Sequence, residues 1–269
     1  MKFSIEKIDL KQIAESGQCF RWKELAPGKY GIAAYGRSVI VGQQIPGELV
    51  LDCTTGDWMG VWAYYFDAAT DYGSIIKRID QRDEYLTHAA RHGDGIRILR
   101  QDPWETIASF IISQNNSIPR IKRTIEALCE RHGATGVHHG FGEFEYHHFP
   151  SAAALAAPHA LDGLGLGYRD KYLAAIAKSV AGGEFDLNKL IAADYAEARE
   201  MLKSVYGIGD KVADCICLFG LGHHEAFPTD RWISRMAEEH YNGKFPISQY
   251  PDCAGIMQQY IFHYEITNK

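Results

Sequence analysis

The stretch VYGIGDKVADCICLFG, residues 205–220, sets a lysine behind two glycines two residues apart and ahead of an apolar run holding an aspartate and two cysteines. A primary amine in such a place is a candidate nucleophile toward an electrophilic sugar or carbonyl carbon, and a Schiff base is what it would form. Glycines at this spacing suit a tight turn between two helices with its amides exposed, and amides at a helix N-terminus bind phosphate without basic side chains. The same Gly-x-Gly serves equally as a short connector. Lys211 and Cys215 are four apart and share one helical face. Further on, FPTDRW puts Asp230 at the first turn of the next helix, with Thr229 as its expected cap. Taken singly, the lysine reads as a solvated charge and the aspartate as a dipole or capping residue. Together, beside a phosphate-binding hairpin, they pair an amine nucleophile with a carboxylate.

The elements that must position these groups are of two kinds. Residues 18–53 read as an antiparallel sheet: CFRW, KYGIAAY, SVIVGQQ and ELVLDC are rich in β-branched and aromatic residues and are divided by Pro-Gly and Gly-Arg turns. After Thr55 the apolar period becomes helical, through DWMGVWAYYF, EYLTHAARH and DPWETIASFIISQ, where Asp102 caps and Pro103 fits the first turn. Further helices are expected over 119–132, 151–157, 169–180, 194–205, 211–220, 230–241 and 252–266. Residues 133–150, rich in His and Gly, are expected to form an exposed loop. The fold class is α+β, with an N-terminal antiparallel β domain and flanking helices over 1–95 and a mainly helical body over 96–269.

A net charge of −6 argues against coating nucleic acid by bulk electrostatics and leaves room for a local amide-lined groove. Six cysteines are scattered without C-x-x-C spacing, so buried free thiols are expected. The pairs His138-His139, His147-His148 and His223-His224 lack cysteine or carboxylate company and are expected as solvated loop, with no metal. GLGLG at 163–167 fails the dinucleotide fingerprint and follows no convincing strand; its amides could lie near a phosphate. The start of the chain lacks an apolar signal region and no run approaches a membrane span, so a cytoplasmic protein is expected.

The segments GIGDKVADCICLFG and FPTDRW together resemble the helix-hairpin-helix DNA glycosylase superfamily, and within it the 8-oxoguanine DNA glycosylases. Four more blocks match in order: SGQCFRW (16–22), SFIISQNNSIPRI (109–121), GLGLGYRDKY (163–172) and GIMQQYIF (255–262). The resemblance spans nearly the whole chain. It implies a helical body whose cleft receives an extruded nucleotide, with Lys211 as nucleophile and Asp230 as catalytic aspartate. It also implies that Gly17, Cys215, Gln258 and Phe262 line the damaged-base pocket, with Trp232 close by. Asn115, Arg120, Tyr168 and Arg169 match positions that fill the gap in the duplex and read the orphaned base, and Gly207 and Gly209 form the DNA-binding hairpin. The implied partner is double-stranded DNA carrying 8-oxoguanine opposite cytosine, bound by a single copy of the chain. Cys19, Ser117 and Trp232 depart from the animal and fungal pattern, where serine, asparagine and histidine stand; Trp232 and QQYIF look more like the bacterial branch, for which a nucleoid setting is expected. The four-cysteine iron–sulfur cluster of a related branch has no counterpart at the C-terminus, and no cofactor is expected.

For such an enzyme, the nucleotide is flipped out, the Lys211 amine attacks the anomeric carbon, and the resulting Schiff base permits β-elimination. A carboxylate at Asp230 would stabilise positive charge on the departing sugar. A main-chain carbonyl aimed at N7 would separate 8-oxoguanine from guanine, which has no N7 hydrogen to give it; Gly17 is the matching candidate. Alkylated-base glycosylases of the superfamily typically lack the lysine. A non-catalytic hairpin module has no use for Lys211 with Asp230, and a small-molecule hydrolase would need a G-x-S-x-G or metal motif that is missing.

Overall fold

The computed structural model describes residues 1–268. Strands β1 (Lys2–Ser4), β2 (Lys23–Ala26), β3 (Lys29–Ala34), β4 (Arg37–Ile45) and β5 (Glu48–Leu51) form one antiparallel sheet in the order β1-β5-β4-β3-β2. Tyr30 pairs with Val41 and Ile32 with Val39, so the two-residue period gathers these side chains with Leu49 and Leu51 on one face. There they make a core with Ile5, Ile13, Trp62 and Phe66. The remainder is mainly helical, and the molecule is an α+β protein.

Residues 19–22, read above as a strand, belong to none. This segment crosses between two cores, with Cys19 packed in the sheet core and Phe20 in the helical one. The buried Gln18 side chain takes the place of a ladder: it donates to the Arg97 carbonyl at 2.9 Å and accepts from the Leu99 amide at 2.7 Å.

Residues 133–150 are also not a loop. They form a hairpin of β6 (Thr135–His139) and β7 (Glu143–His147). Its anchor is Phe144, buried against Gly31 of β3, where a Cβ would fall 2.9 Å from the ring. The tip is tied to the sheet as Lys29 donates to the Phe141 carbonyl and Asp52 accepts from the Phe141 amide. Docking sequesters His138, whose Nδ1 lies 3.0 Å from Ser38 Oγ. The other histidine pairs also correct the solvated-loop reading: His223 and His224 are mostly covered, and His224 Nε2 lies 3.3 Å from the buried Asp67 carboxylate. Among the described residues no group of three or more His, Cys, Asp or Glu could hold a metal. All six cysteines are free, and all but Cys53 are buried.

The two cores overlap in sequence on either side of residue 95, with Leu99 in the sheet core. Tyr72, Leu86 and Ala89 already belong to the helical core, so helix Glu84–His92 is part of the body. Arg97 staples the seam. Its buried guanidinium donates to the carbonyls of Glu6, Phe66, Asp67 and Thr70 and lies 4.1 Å from the Tyr72 ring centroid.

A second buried cationic candidate stays neutral. His263 lies in helix Ala254–Thr267 with its ring 5.2 Å from that of His92, and burial first, then His92, push its imidazole down to about 4. An unfolded histidine titrates near 6.5. Between those values the unfolded chain binds a proton that the native protein refuses, so stability is lost as pH falls through the window. Tm should therefore drop more steeply from pH 6.5 to pH 4 in the wild type than in His263→Asn; parallel curves would remove His263 from the acid response.

Candidate active site

The helix bearing Lys211, Asp210–Gly220, starts directly from the turn through Gly207 and Gly209. The two glycines serve different ends. Gly207 has φ +91°, the left-handed region, and a Cβ there would run into the Tyr172 ring. Gly209 is extended, and a Cβ on it would meet open space. Its backbone is simply left bare at the helix start, where free amides favour an anion.

Lys211 is the second residue of this helix, with Nζ 5.5 Å from the Phe110 ring centroid. One turn on, Cys215 is buried, and burial pushes its thiol up while the charge and hydrogen bond of Lys211 oppose that rise. Asp230, not Thr229, caps the helix Arg231–His240. Its Oδ1 accepts from the amides of Trp232 at 2.9 Å and Ile233 at 3.0 Å, whereas the Thr229 hydroxyl turns back to the Phe227 carbonyl. Oδ2 takes no part in the cap. The cap thus fixes the carboxylate against a helix start, as a positioned anion should be.

These groups meet in one place. A small inner pocket of ≈ 50 Å³ is lined by Ser16, Gly17, Lys211, Cys215, Asp230, Gln258 and Phe262, among others. It adjoins a cleft of ≈ 1090 Å³ that shares Gly17, Phe110, Lys211, Asp230 and Phe262 with it and extends to Asn115, Arg120, Tyr168, Gly209 and Trp232. Gln258 is 5% exposed, and its Oε1 has no hydrogen-bond partner among the described residues. A buried amide oxygen left unpaired is costly, and a ligand donor would satisfy it. Gly17 has φ +76°, and a Cβ there would sit 3.0 Å from Phe262 Cε1. The inner pocket has room for a few waters, and Phe262, packed on Gly17, lines both it and the larger cleft.

The chain from residue 1 to 107 matches the family model described as 8-oxoguanine DNA glycosylase, N-terminal domain. An N-glycosylase/DNA lyase of Saccharomyces cerevisiae is 39% identical over 272 residues, covering 89% of this chain and 70% of the relative. The chain belongs to the 8-oxoguanine DNA glycosylase family. N-glycosylase/DNA lyase OGG1 of Arabidopsis thaliana is 30% identical over 250 residues, covering 88% of this chain and 67% of the relative. Among solved structures, the 8-oxoguanine glycosylase/lyase of Clostridium acetobutylicum, in complex with dsDNA containing cytosine opposite 8-oxoG, superposes with a TM-score of 0.90 at 35% identity, covering 98% of this chain and 93% of that one.

Within this glycosylase framework the expected gap-filling residues divide. Asn115, in the left-handed region at φ 45°, Arg120 and Tyr168 face the cleft. Arg169 does not. It is 6% exposed, with its guanidinium donating to the carbonyls of Gln114, Asn115 and Leu166 at 2.7, 2.8 and 3.0 Å. It braces the loop that carries Asn115, with its guanidinium donors directed to backbone carbonyls. Trp232 also lies outside the inner pocket, on the cleft wall, near the guanidinium groups of Arg231 and Arg235.

Sequence reasoning missed two glutamines. Gln259 donates to the Ser16 carbonyl at 2.6 Å and so holds the turn that presents Gly17. Gln114 donates to the Gly207 carbonyl at 3.0 Å, linking the Asn115 loop to the hairpin. Both sit in segments quoted above, beside residues singled out for the pocket. The orphaned oxygen of its neighbour gives a direct test. Gln258→Ala should slow release of 8-oxoguanine by about 10- to 100-fold, the worth of a buried hydrogen bond. Affinity for a duplex holding an abasic-site analogue should hardly change. Equal losses on both measurements would mean a general structural defect.

Proposed function

We propose that this protein extrudes 8-oxoguanine from duplex DNA, excises it through a Schiff base on Lys211 and cleaves the strand by β-elimination. The observation that carries this reading is the convergence of Lys211, Asp230, Gly17 and the unpaired Gln258 oxygen on one pocket that adjoins a cleft of ≈ 1090 Å³. Guanine's Watson–Crick edge offers N1–H and N2–H donors to such an oxygen. The 8-oxo form adds an N7–H, for which the Gly17 carbonyl is the matching acceptor.

The steps follow from the residues. Bare amides at Gly209 and the start of the Lys211 helix hold a phosphate, and the flipped base enters the pocket that Phe262 lines. The Lys211 amine, once it has given up a proton, attacks C1′ and the C1′–N9 bond breaks. Positive charge on the sugar is stabilised by Asp230, which its cap holds in place before the reaction starts. Ring opening gives the Schiff base; loss of a C2′ proton then expels the 3′-phosphate. Cys215, a buried thiol with its titration pushed up, serves as a neutral wall of the pocket. Arg120 lines the cleft with Nη2 donating to the Gly165 carbonyl at 3.0 Å, and its remaining donors are the candidates for the O2 and N3 acceptors of an unpaired cytosine.

The test is a set of duplexes carrying 8-oxoguanine opposite cytosine, 8-oxoguanine opposite adenine, and 3-methyladenine. The lesion opposite cytosine should be excised fastest, with a nick. Arg120→Ala should narrow the cytosine-to-adenine ratio by roughly 5- to 100-fold, the worth of one good base contact. Faster release of the alkylated base would favour the alkylated-base reading instead.

A further inference from the structure

Three tyrosines run in file from the cleft to the hairpin. Tyr168 and Tyr172 meet edge to face at 5.7 Å, and Tyr172 and Tyr206 at 5.0 Å. The outer member, Tyr206, is the first residue of the turn and is 67% exposed. Apart from its ring contact with Tyr172, it makes no hydrogen bond among the described residues. An aromatic side chain of this size left bare on a surface calls for a physical reason.

The hairpin itself supplies one. Tyr172 fills the notch beneath Gly207, Gln114 donates to the Gly207 carbonyl, and the Tyr206 ring rests edge-on against Tyr172 with most of its surface exposed. Apart from Lys211, which lines the pocket, the neighbouring cations are tied up. Asp210, which follows Gly209, accepts from Arg199 at 2.6 Å and Lys203 at 3.2 Å, so the nearby positive charges are neutralised by the hairpin's own carboxylate. What the hairpin leaves exposed is a neutral tyrosine and, three residues on, the bare backbone of Gly209.

We propose that Tyr206 is a further DNA contact, its phenolic hydroxyl donating to a backbone phosphate beside the one held by the hairpin amides. This rests on the reading of the cleft as a duplex-binding site. Stacking is not its task, because bases away from the flipped nucleotide stay paired; a hydroxyl donor to a phosphate oxygen fits both the position and the lack of local charge.

Affinity for a duplex holding a tetrahydrofuran abasic analogue, measured by fluorescence anisotropy across a salt series, tests this with Tyr206→Phe and Tyr206→Ala. Both variants should bind about 10- to 100-fold more weakly than the wild type, in keeping with a hydrogen bond to a charged acceptor. The slope of log affinity against log salt should be unchanged, since a neutral donor releases no counterion. Wild-type affinity in Tyr206→Phe would overturn the proposal, as would a loss confined to Tyr206→Ala, which would assign the ring to packing on Tyr172. A wild-type protein that excises 8-oxoguanine while Tyr206→Phe binds normally would sink this contact alone. Failure of the wild type to bind the duplex would overturn both this contact and the reading beneath it.

Discussion

Lys211→Gln should bind a lesion-bearing duplex about as well as the wild type and yield no borohydride-trapped adduct at all. An amine is needed to form the reducible Schiff base, and glutamine keeps the polarity and most of the length of the side chain while its amide nitrogen cannot do that chemistry. Loss of the nucleophile removes the reaction path rather than weakening it, so excision and nicking should both fall to background. The pocket should survive the change. Lys211 stands at the second position of its helix, where the backbone is set by Gly209 and by the buried run from Val212 to Gly220. Normal trapping in the variant would move the nucleophile elsewhere.

The second large effect is expected at Asp230. Its replacement by asparagine keeps an oxygen able to accept from the Trp232 and Ile233 amides, so the cap and the helix Arg231–His240 should persist. The negative charge beside the developing sugar cation is lost. Removal of one preorganised electrostatic group of this kind costs on the order of 100- to 1000-fold in rate. Single-turnover excision at saturating protein should slow by that much while lesion affinity is kept, the pattern of an interaction made chiefly in the transition state. A rate near the wild type would take Asp230 out of the mechanism and leave it a helix cap.

How much of this was legible in the chain depends on the distance over which each feature is encoded. Lys211 and Asp230 stand out in their own short segments, while Cys215, Gln258 and Phe262 are implied as pocket residues only by the family resemblance of the segments that hold them; the structure brings all five to one pocket. Thr229 and Asp230 are adjacent residues of capping type, and only the backbone at the helix start decides between them. The hairpin over 133–150 was hidden because histidines and glycines blur an alternation whose one strong member, Phe144, finds its cover on a strand more than a hundred residues earlier. Arg169 shows a further limit. Its type and place suit a base contact, yet three backbone carbonyls take up its guanidinium, and composition carries no sign of that arrangement. The support that Gln259 gives to Ser16 joins opposite ends of the sequence, beyond the reach of any local pattern.

The reading as a lesion excising lyase stands or falls on which atom of the protein becomes joined to DNA. The wild-type protein, incubated with an 8-oxoguanine duplex and borohydride, can be digested and its nucleotide-bearing peptide located by mass spectrometry. The adduct is expected on the peptide containing Lys211, at its side-chain nitrogen. An adduct on another lysine or on the chain's amino terminus, or base release with no adduct of any kind, would contradict the mechanism.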